Sequence, residues 1–302
     1  MHIPDGFLTV PVWASLDAVA IPAVAAISWR AQRNFQDNRV PLMGVMGAFI
    51  FAAQRINFPV GNGTSGHLVG GALLTFTVGP AAASIVLTAI LAIQAFVFQD
   101  GGVLALGANI FNMALAGVAA AWLPWVILRG SRAGVFLGAT LSLLTSAVLA
   151  LTELLVSGVP MPRPVLAVSG GLFALSAVME GAITVVVLQA MQRIQPGFRP
   201  SPVPPRRRVI AALGLAAAAL AVAAPFLASA LPDGIQKLLA NRNLGDAMTA
   251  PLHDVISPPL DDVISPWLSR SLAGIAGIAI VYLICLVVAR LIAAGRPGRE
   301  SA

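Results

Sequence analysis

The sequence predicts an all-α polytopic membrane protein, with a seven-helix bundle followed by two additional C-terminal transmembrane helices. Apolar residues make up 58% of the 302 residues and charged residues only 10%, against about 25% charged in soluble domains. A soluble globular protein is excluded, because too little polar surface exists to cover an apolar interior. The apolar residues form runs near the ~20 residues that a transmembrane helix needs. Lipid offers free backbone groups no partner, so every run is expected to be helical.

Polar and basic breaks divide the chain into nine predicted spans. The third is short and stops at Gly79-Pro80, which is a turn signal. A Pro- and Arg-rich segment, 193–208, cannot span a membrane and is predicted to be a cytoplasmic linker. It separates a seven-span domain, 1–192, from a two-span region, 209–302. The spans are predicted at 11–29, 41–57, 67–79, 80–98, 108–128, 133–157, 167–191, 209–229 and 271–292.

The distribution of Lys and Arg predicts an outside N-terminus and a cytoplasmic C-terminus. With this orientation, 13 of the 18 basic residues lie inside, as expected from the positive-inside rule. The net charge of +6 is therefore explained by topology, and no nucleic-acid partner is predicted. The five outside residues are Arg55, Arg163, Lys237, Arg242 and Arg270.

The two ends of this topology carry further signals. The chain begins MHIPDGFLTV without Lys or Arg before Arg30, so a cleaved signal peptide is not expected. The external segment 230–270 contains the pentapeptide DVISP twice, at 254–258 and 262–266. We interpret these repeats as two short amphipathic turns on the membrane surface.

Several classes of enzyme are excluded. The only lysine, Lys237, follows PDGIQ, so no Walker A loop exists, and no HExxH motif is present. The segment 61–66, GNGTSG, matches GxGxxG but lies between membrane spans without the βαβ unit that dinucleotide binding needs. The single cysteine, Cys285, excludes a disulfide framework and is interpreted as a packing residue. We therefore expect a protein that is not an enzyme.

Three acidic residues fall within predicted spans: Asp17, Glu153 and Glu180. Intramembrane acids are costly and often functional, so Asp17 and Glu180 could couple transport to protons or sodium. Alternatively, each could cap a neighbouring helix or pair with an arginine. Glu153 lies near the outer end of its span, where it could reach water.

The histidines indicate a metal site. His2, His67 and His253 all lie outside in the predicted topology, and His253 is interpreted as solvated. The Met1 amine and the amide and imidazole of His2 form adjacent five- and six-membered chelate rings. His67, which follows the Gly-rich loop, could complete a square-planar set of four nitrogens. This geometry favours Ni(II) or Cu(II) over Zn(II), Mg(II) or Ca(II).

Three motifs stand out: MHIPDGFL at 1–8, GNGTSGHLVGGALL at 61–74 and FQDGGVLALGANIFNM at 98–113. They resemble motifs of the CbiM/NikM family, the metal-capturing S components of energy-coupling-factor (ECF) transporters for nickel and cobalt. The resemblance covers about 1–195, and the opening MHIPDG is closer to the nickel branch than to the cobalt opening MHIMEG. LPDGIQKLL at 231–239 resembles the PDGLE segment of the accessory N component, so the chain looks like a fusion of M and N components. Ile235 and Gln236 stand where that motif has Leu-Glu.

The resemblance implies the same metal ligands: Met1, His2 and His67. It implies Ni²⁺ or Co²⁺ as transported substrate and, as partners in the lipid membrane, a transmembrane coupling (T/Q) subunit and ATP-binding (A/O) subunits. Four residues in the matching segments are candidates for orienting the ligands: Asp5, Asn62, Ser65 and Asn109.

The sequence therefore predicts a subunit of the plasma membrane or cell inner membrane. It would capture a divalent transition metal at the extracytoplasmic face for ATP-driven uptake. One alternative is a self-contained secondary metal transporter coupled through Asp17 and Glu180. Another is a structural membrane subunit with an incidental metal site.

Overall fold

The computed structural model describes residues 1–34, 40–61, 64–196, 198, 206–227, 229, 231, 235, 238–239 and 266–294. These residues form nine helices and one short antiparallel hairpin. The hairpin consists of β1 (Phe58–Gly61) and β2 (Thr64–Gly66). The helices are α1 (Val10–Asn34), α2 (Val40–Gln54), α3 (Gly71–Val78), α4 (Pro80–Val97), α5 (Leu106–Ile127), α6 (Arg132–Val156), α7 (Arg163–Ile194), α8 (Arg207–Leu227) and α9 (Pro266–Ala294).

The predicted fold class is confirmed. Six helices, α1 and α4–α8, are long and apolar enough to cross a membrane, and each of the nine helices overlaps one predicted span. The division into domains at 192 and 208 stays a prediction. The first DVISP repeat lies outside the described residues, and of the second only Pro266, the first residue of α9, is described.

The third span differs from the prediction of a continuous helix over 67–79. Helix α3 begins only at Gly71 and has 8 residues, so it is about 12 Å long at ~1.5 Å per residue. The hydrocarbon core is ~30 Å thick, which α3 cannot span. Residues 64–70 precede it as a strand and an irregular segment, and all of them are buried.

Buried side chains explain why an irregular segment is stable here. The carboxylate of Glu180 on α7 accepts hydrogen bonds from Val69 N and Gly70 N, each at 2.8 Å. The side chain of Gln54 donates to Val69 O at 2.7 Å. Gly70 has a φ of +78° and lies against Ile50, where a Cβ would clash. Non-helical backbone inside a membrane protein is tolerated where such partners satisfy it.

The middle of α5 is also irregular. Residues Ile110–Gly117 form a π-helix, which places Asn112 toward α6. Asn112 Nδ2 donates to Glu153 at 2.8 Å, and Ser146 Oγ donates to Asn112 O at 2.8 Å. The expectation that Glu153 reaches water is wrong, because this side chain is buried against the π-helical turn.

Helices α8 and α9 pack on the bundle through α2. A Cβ at Gly44 would lie 2.9 Å from the Tyr282 ring, and one at Gly47 would lie 2.8 Å from Cys285 Sγ. Small residues let membrane helices approach closely. The buried Cys285 therefore packs against α2, as its interpretation as a packing residue predicts.

Candidate metal centre

The N-terminus is buried, although chain termini are usually exposed. Met1 is 7% exposed and His2 5% exposed. Ile3 N donates to Asn109 Oδ1 at 2.9 Å, and Asn109 Nδ2 donates back to Ile3 O at 3.1 Å. Gly102 N also donates to Ile3 O at 2.9 Å. These bonds fix the first residues beside the start of α5.

Asp5 completes this anchorage. Its carboxylate accepts hydrogen bonds from Val103 N, Leu104 N and Ala105 N at 2.8–3.1 Å. These three amides immediately precede α5, where backbone N–H groups lack helical partners and favour a negative charge. Asp5 and Asn109 therefore both hold the N-terminal segment in place, and their role in orienting metal ligands stays a prediction.

His67 meets the N-terminus. Its Nδ1 lies 3.1 Å from Leu68 O, and a carbonyl oxygen can only accept, so Nδ1 carries the proton. The Nε2 lone pair then faces the amine of Met1, at 2.8 Å. A backbone partner of this kind is what commonly sets the tautomer of a metal-ligating histidine.

The distance between the Met1 amine and His67 Nε2 suits a shared metal ion. Two nitrogen ligands at ~2.0 Å from a metal, at a right angle, lie about 2.8 Å apart. In a planar set of four nitrogens, the Met1 amine lies next to the His2 amide, because both belong to one chelate ring. The other nitrogen next to the amine is then His67 Nε2. A cavity of about 20 Å³ beside Met1 and His67 has room for about one water-sized particle.

The imidazole of His2 has another partner. Its ring stacks on that of His67, with centroids 5.7 Å apart, but its Nδ1 contacts Asp100 Oδ1 at 3.1 Å. Among the described residues, nothing forms a hydrogen bond with the buried Nε2 of His2. The structure thus brings Met1 and His67 together, whereas His2 Nδ1 must leave Asp100 before it can chelate.

Asp100 is a site residue that sequence reasoning missed. Partial burial raises its pKa, but the charge and hydrogen bond of His2 and the charge of the N-terminus hold it well below its usual range. The carboxylate is therefore ionised, and its side chain is 48% exposed. It lies within the quoted motif FQDGGVLALGANIFNM, but no local pattern links position 100 to position 2.

The other sequence candidates divide into two groups. Ser65 is buried, and its hydroxyl donates to Leu231 O at 2.6 Å, which joins β2 to the chain beyond α8. Asn62 and His253 lie outside the described residues. Within the described part of the chain, no group of three or more His, Cys, Asp or Glu side chains could hold a metal.

The intramembrane acids are held by backbone and side-chain amides. Asp17 accepts from Gly107 N at 2.8 Å near the start of α5. Glu180 binds the two amides before α3, and Glu153 binds Asn112. Asp17 and Glu180 thus act as helix caps, which is the structural alternative considered for them.

Known proteins resemble the chain over most of its length. The family model described as "Cobalt uptake substrate-specific transmembrane region" matches residues 2–198. The chain is 34% identical over 248 residues to the "Putative fused nickel transport protein NikMN" of Archaeoglobus fulgidus, covering 80% of this chain and 81% of that protein. It is also 34% identical over 214 residues to the "Putative cobalt transport protein CbiM 2" of Methanocorpusculum labreanum, covering 65% of this chain and 90% of that one.

Solved structures agree with these relatives. One crystal structure of a transition metal transporter shares 32% identity and a TM-score of 0.55, over 64% of this chain and 93% of that chain. A truncated transition metal transporter shares 27% identity and a TM-score of 0.52, over 64% of this chain and 99% of that chain. The resemblance to the CbiM/NikM family is thereby confirmed, and the chain belongs to this family of multi-pass membrane proteins for nickel and cobalt transport.

Proposed function

We propose that this chain captures a divalent transition metal, Ni²⁺ first and Co²⁺ second, at the outer face of the membrane. The observation that carries the proposal is the 2.8 Å separation of the Met1 amine and His67 Nε2 in a buried site. This separation suits neighbouring ligands of one ion. The names of relatives, which specify nickel or cobalt transport, support the choice of substrate.

Four nitrogens would hold the ion: the Met1 amine, the amide and Nδ1 of His2, and His67 Nε2. The Met1 amine now contacts His67 Nε2, and His2 Nδ1 contacts Asp100. Both contacts must be exchanged for bonds to the metal, and the Met1 amine lone pair, the His2 amide nitrogen and His2 Nδ1 must all be free of protons. The planar chelate would then favour a square-planar ion.

We further propose that the chain is the S component of an ECF-type transporter. A transmembrane coupling (T/Q) subunit and ATP-binding (A/O) subunits would then supply the energy, since the sequence holds no Walker A loop. The N-terminus and its metal site would lie outside, and the C-terminus would lie in the cytoplasm. No covalent chemistry on the substrate is required of this chain.

Metal content and visible absorption test the capture proposal. Purified full-length protein with a free N-terminus should bind one Ni²⁺ and give a yellow, diamagnetic complex. Zn²⁺, which prefers tetrahedral sites, should compete weakly under the same conditions. A paramagnetic, six-coordinate Ni²⁺ complex would contradict the four-nitrogen site.

A secondary transporter coupled through Asp17 and Glu180 is the alternative. The hydrogen bonds of these two carboxylates to main-chain amides argue for structural roles. Metal uptake by cells that express this chain with and without the coupling and ATP-binding subunits separates the two functions. Equal uptake without those subunits would favour the secondary transporter.

A further inference from the structure

A polar cavity of about 320 Å³ opens beside the metal centre. His67 forms part of its wall, together with Gln54 and Arg55 at the end of α2 and Asp100 in the loop after α4. Six water molecules at ~30 Å³ each occupy roughly 180 Å³. The cavity can therefore hold a divalent cation with its hydration shell, whereas the cavity of about 20 Å³ beside Met1 has room only for a bare ion.

Asp100 connects this cavity to the ligands. Of the described residues that line it, Asp100 alone carries a negative charge. Its side chain is 48% exposed, and its Oδ1 lies 3.1 Å from His2 Nδ1. The same carboxylate thus lines the cavity and contacts a nitrogen that the proposed metal site uses.

Arg55 places the opposite charge in the same cavity. Its guanidinium lies over the Phe98 ring, 5.4 Å from the centroid, which is a cation–π arrangement. A positive charge at this position opposes the approach of a cation, while Asp100 attracts it. The two residues are therefore expected to affect metal loading with opposite signs.

We propose that Asp100 forms a first binding site for a hydrated divalent cation, from which the ion passes to the four nitrogens. This inference rests on the proposed function. While no cation is present, Asp100 holds His2 Nδ1 away from the chelating position. A cation that binds the carboxylate takes the place of that hydrogen bond, which frees His2 Nδ1 to turn to the ion.

The two steps recognise different chemistry. Carboxylate oxygens and water suit hard cations such as Mg²⁺ as well as hydrated Ni²⁺. Only an ion that accepts a planar set of nitrogens can complete the transfer. Discrimination among metals thus belongs to the second step, and Asp100 governs the rate of the first.

The experiment is stopped-flow absorbance of full-length protein mixed with NiCl₂, comparing wild type with Asp100→Asn. The Asn side chain keeps an oxygen for the His2 hydrogen bond but removes the charge. We expect loading to be about tenfold slower in Asp100→Asn at low salt, at the lower end of the 10–10³ range of electrostatic focusing. The difference should shrink in 1 M NaCl, where the Debye length is ~3 Å. The final spectrum should match that of the wild type.

Arg55→Gln is the matched control, and it should load faster than the wild type. MgCl₂ should slow Ni²⁺ loading of the wild type more than NaCl of equal ionic strength does. This extra slowing by MgCl₂ should be far smaller in Asp100→Asn. Equal loading rates in wild type and Asp100→Asn would overturn the inference. If, in addition, Asp100→Asn released Ni²⁺ faster than the wild type, Asp100 would only position His2. If the wild type itself never develops the planar Ni²⁺ spectrum, the proposed function fails and this inference fails with it.

Discussion

Two buried polar clusters, the candidate metal centre and the cap of α3, differ in how completely their polar groups are paired. At the α3 cap, both carboxylate oxygens of Glu180 accept main-chain N–H groups, and Gln54 binds Val69 O. At the metal centre, the buried His2 Nε2 has no hydrogen-bond partner among the described residues. The Met1 amine there faces an imidazole lone pair, at 2.8 Å.

This difference is the one expected between a structural cluster and a binding cluster. Buried polar groups are normally paired, and an unpaired one costs about 1–3 kcal/mol. The α3 cap satisfies its backbone internally, so changes there should alter stability. The metal centre brings together nitrogens that a cation would pair better, so changes there should alter metal binding.

The largest effect is expected from adding one residue before Met1. The amine would become an amide, the five-membered chelate ring would be lost, and the buried N-terminus leaves no space for the addition. We expect loss of high-affinity Ni²⁺ binding, measured as metal content at matched expression. A C-terminal tag serves as control and should leave binding intact. If an N-extended protein of unchanged helicity still bound one Ni²⁺ per chain, Met1 would not be a ligand.

The next largest effect is expected from His67→Ala, which removes the fourth nitrogen. Loss of groups that only orient ligands costs 10–100-fold in metal affinity, so loss of a ligand should cost more than about a hundredfold. His253→Ala is the matched control and should bind Ni²⁺ nearly as the wild type does. Isothermal calorimetry measures both, and equal losses would move the site toward the segment 230–270.

A smaller and graded effect is expected from pH. Bonds from Met1 and His2 to the metal replace protons on the amine, the amide and the imidazole, so binding releases protons. Each proton released weakens apparent affinity by up to about tenfold per pH unit lowered. Calorimetry in buffers of different ionisation enthalpy counts the protons. If Ni²⁺ binding released no protons, the His2 amide nitrogen would not be a ligand.

The smallest effect on metal binding is expected from Glu180→Gln at the α3 cap. The amide keeps one oxygen acceptor and leaves one of the two backbone N–H groups unpaired, which costs about 1–3 kcal/mol of unfolding free energy. Ni²⁺ affinity of the folded protein should change by less than about threefold. Denaturant unfolding in detergent and calorimetry measure the two quantities. Unchanged stability together with abolished uptake would instead support coupling through Glu180.

The sequence predicted the parts of this protein that depend on local chemistry. Apolar run length indicates membrane helices, since a helix must bury ~20 residues to cross the hydrocarbon core. The chelating ability of Met1 and His2 follows from two consecutive residues, so no tertiary information is needed. The choice of His67 as fourth ligand used loop position, and its place 2.8 Å from Met1 N agrees with that choice.

Only the tertiary structure decided which distant groups meet. Asp100 contacts His2 across 98 positions, and Glu180 reaches Val69 and Gly70 across more than 100. Hydropathy alone predicts a helix over 67–70. It contains no information on the carboxylate of another helix that accepts hydrogen bonds from this irregular backbone. The same reason applies to Glu153, whose partner Asn112 lies on a π-helical turn. Hydrogen-bond partners of buried groups depend on how helices pack, and packing is a property of the whole bundle.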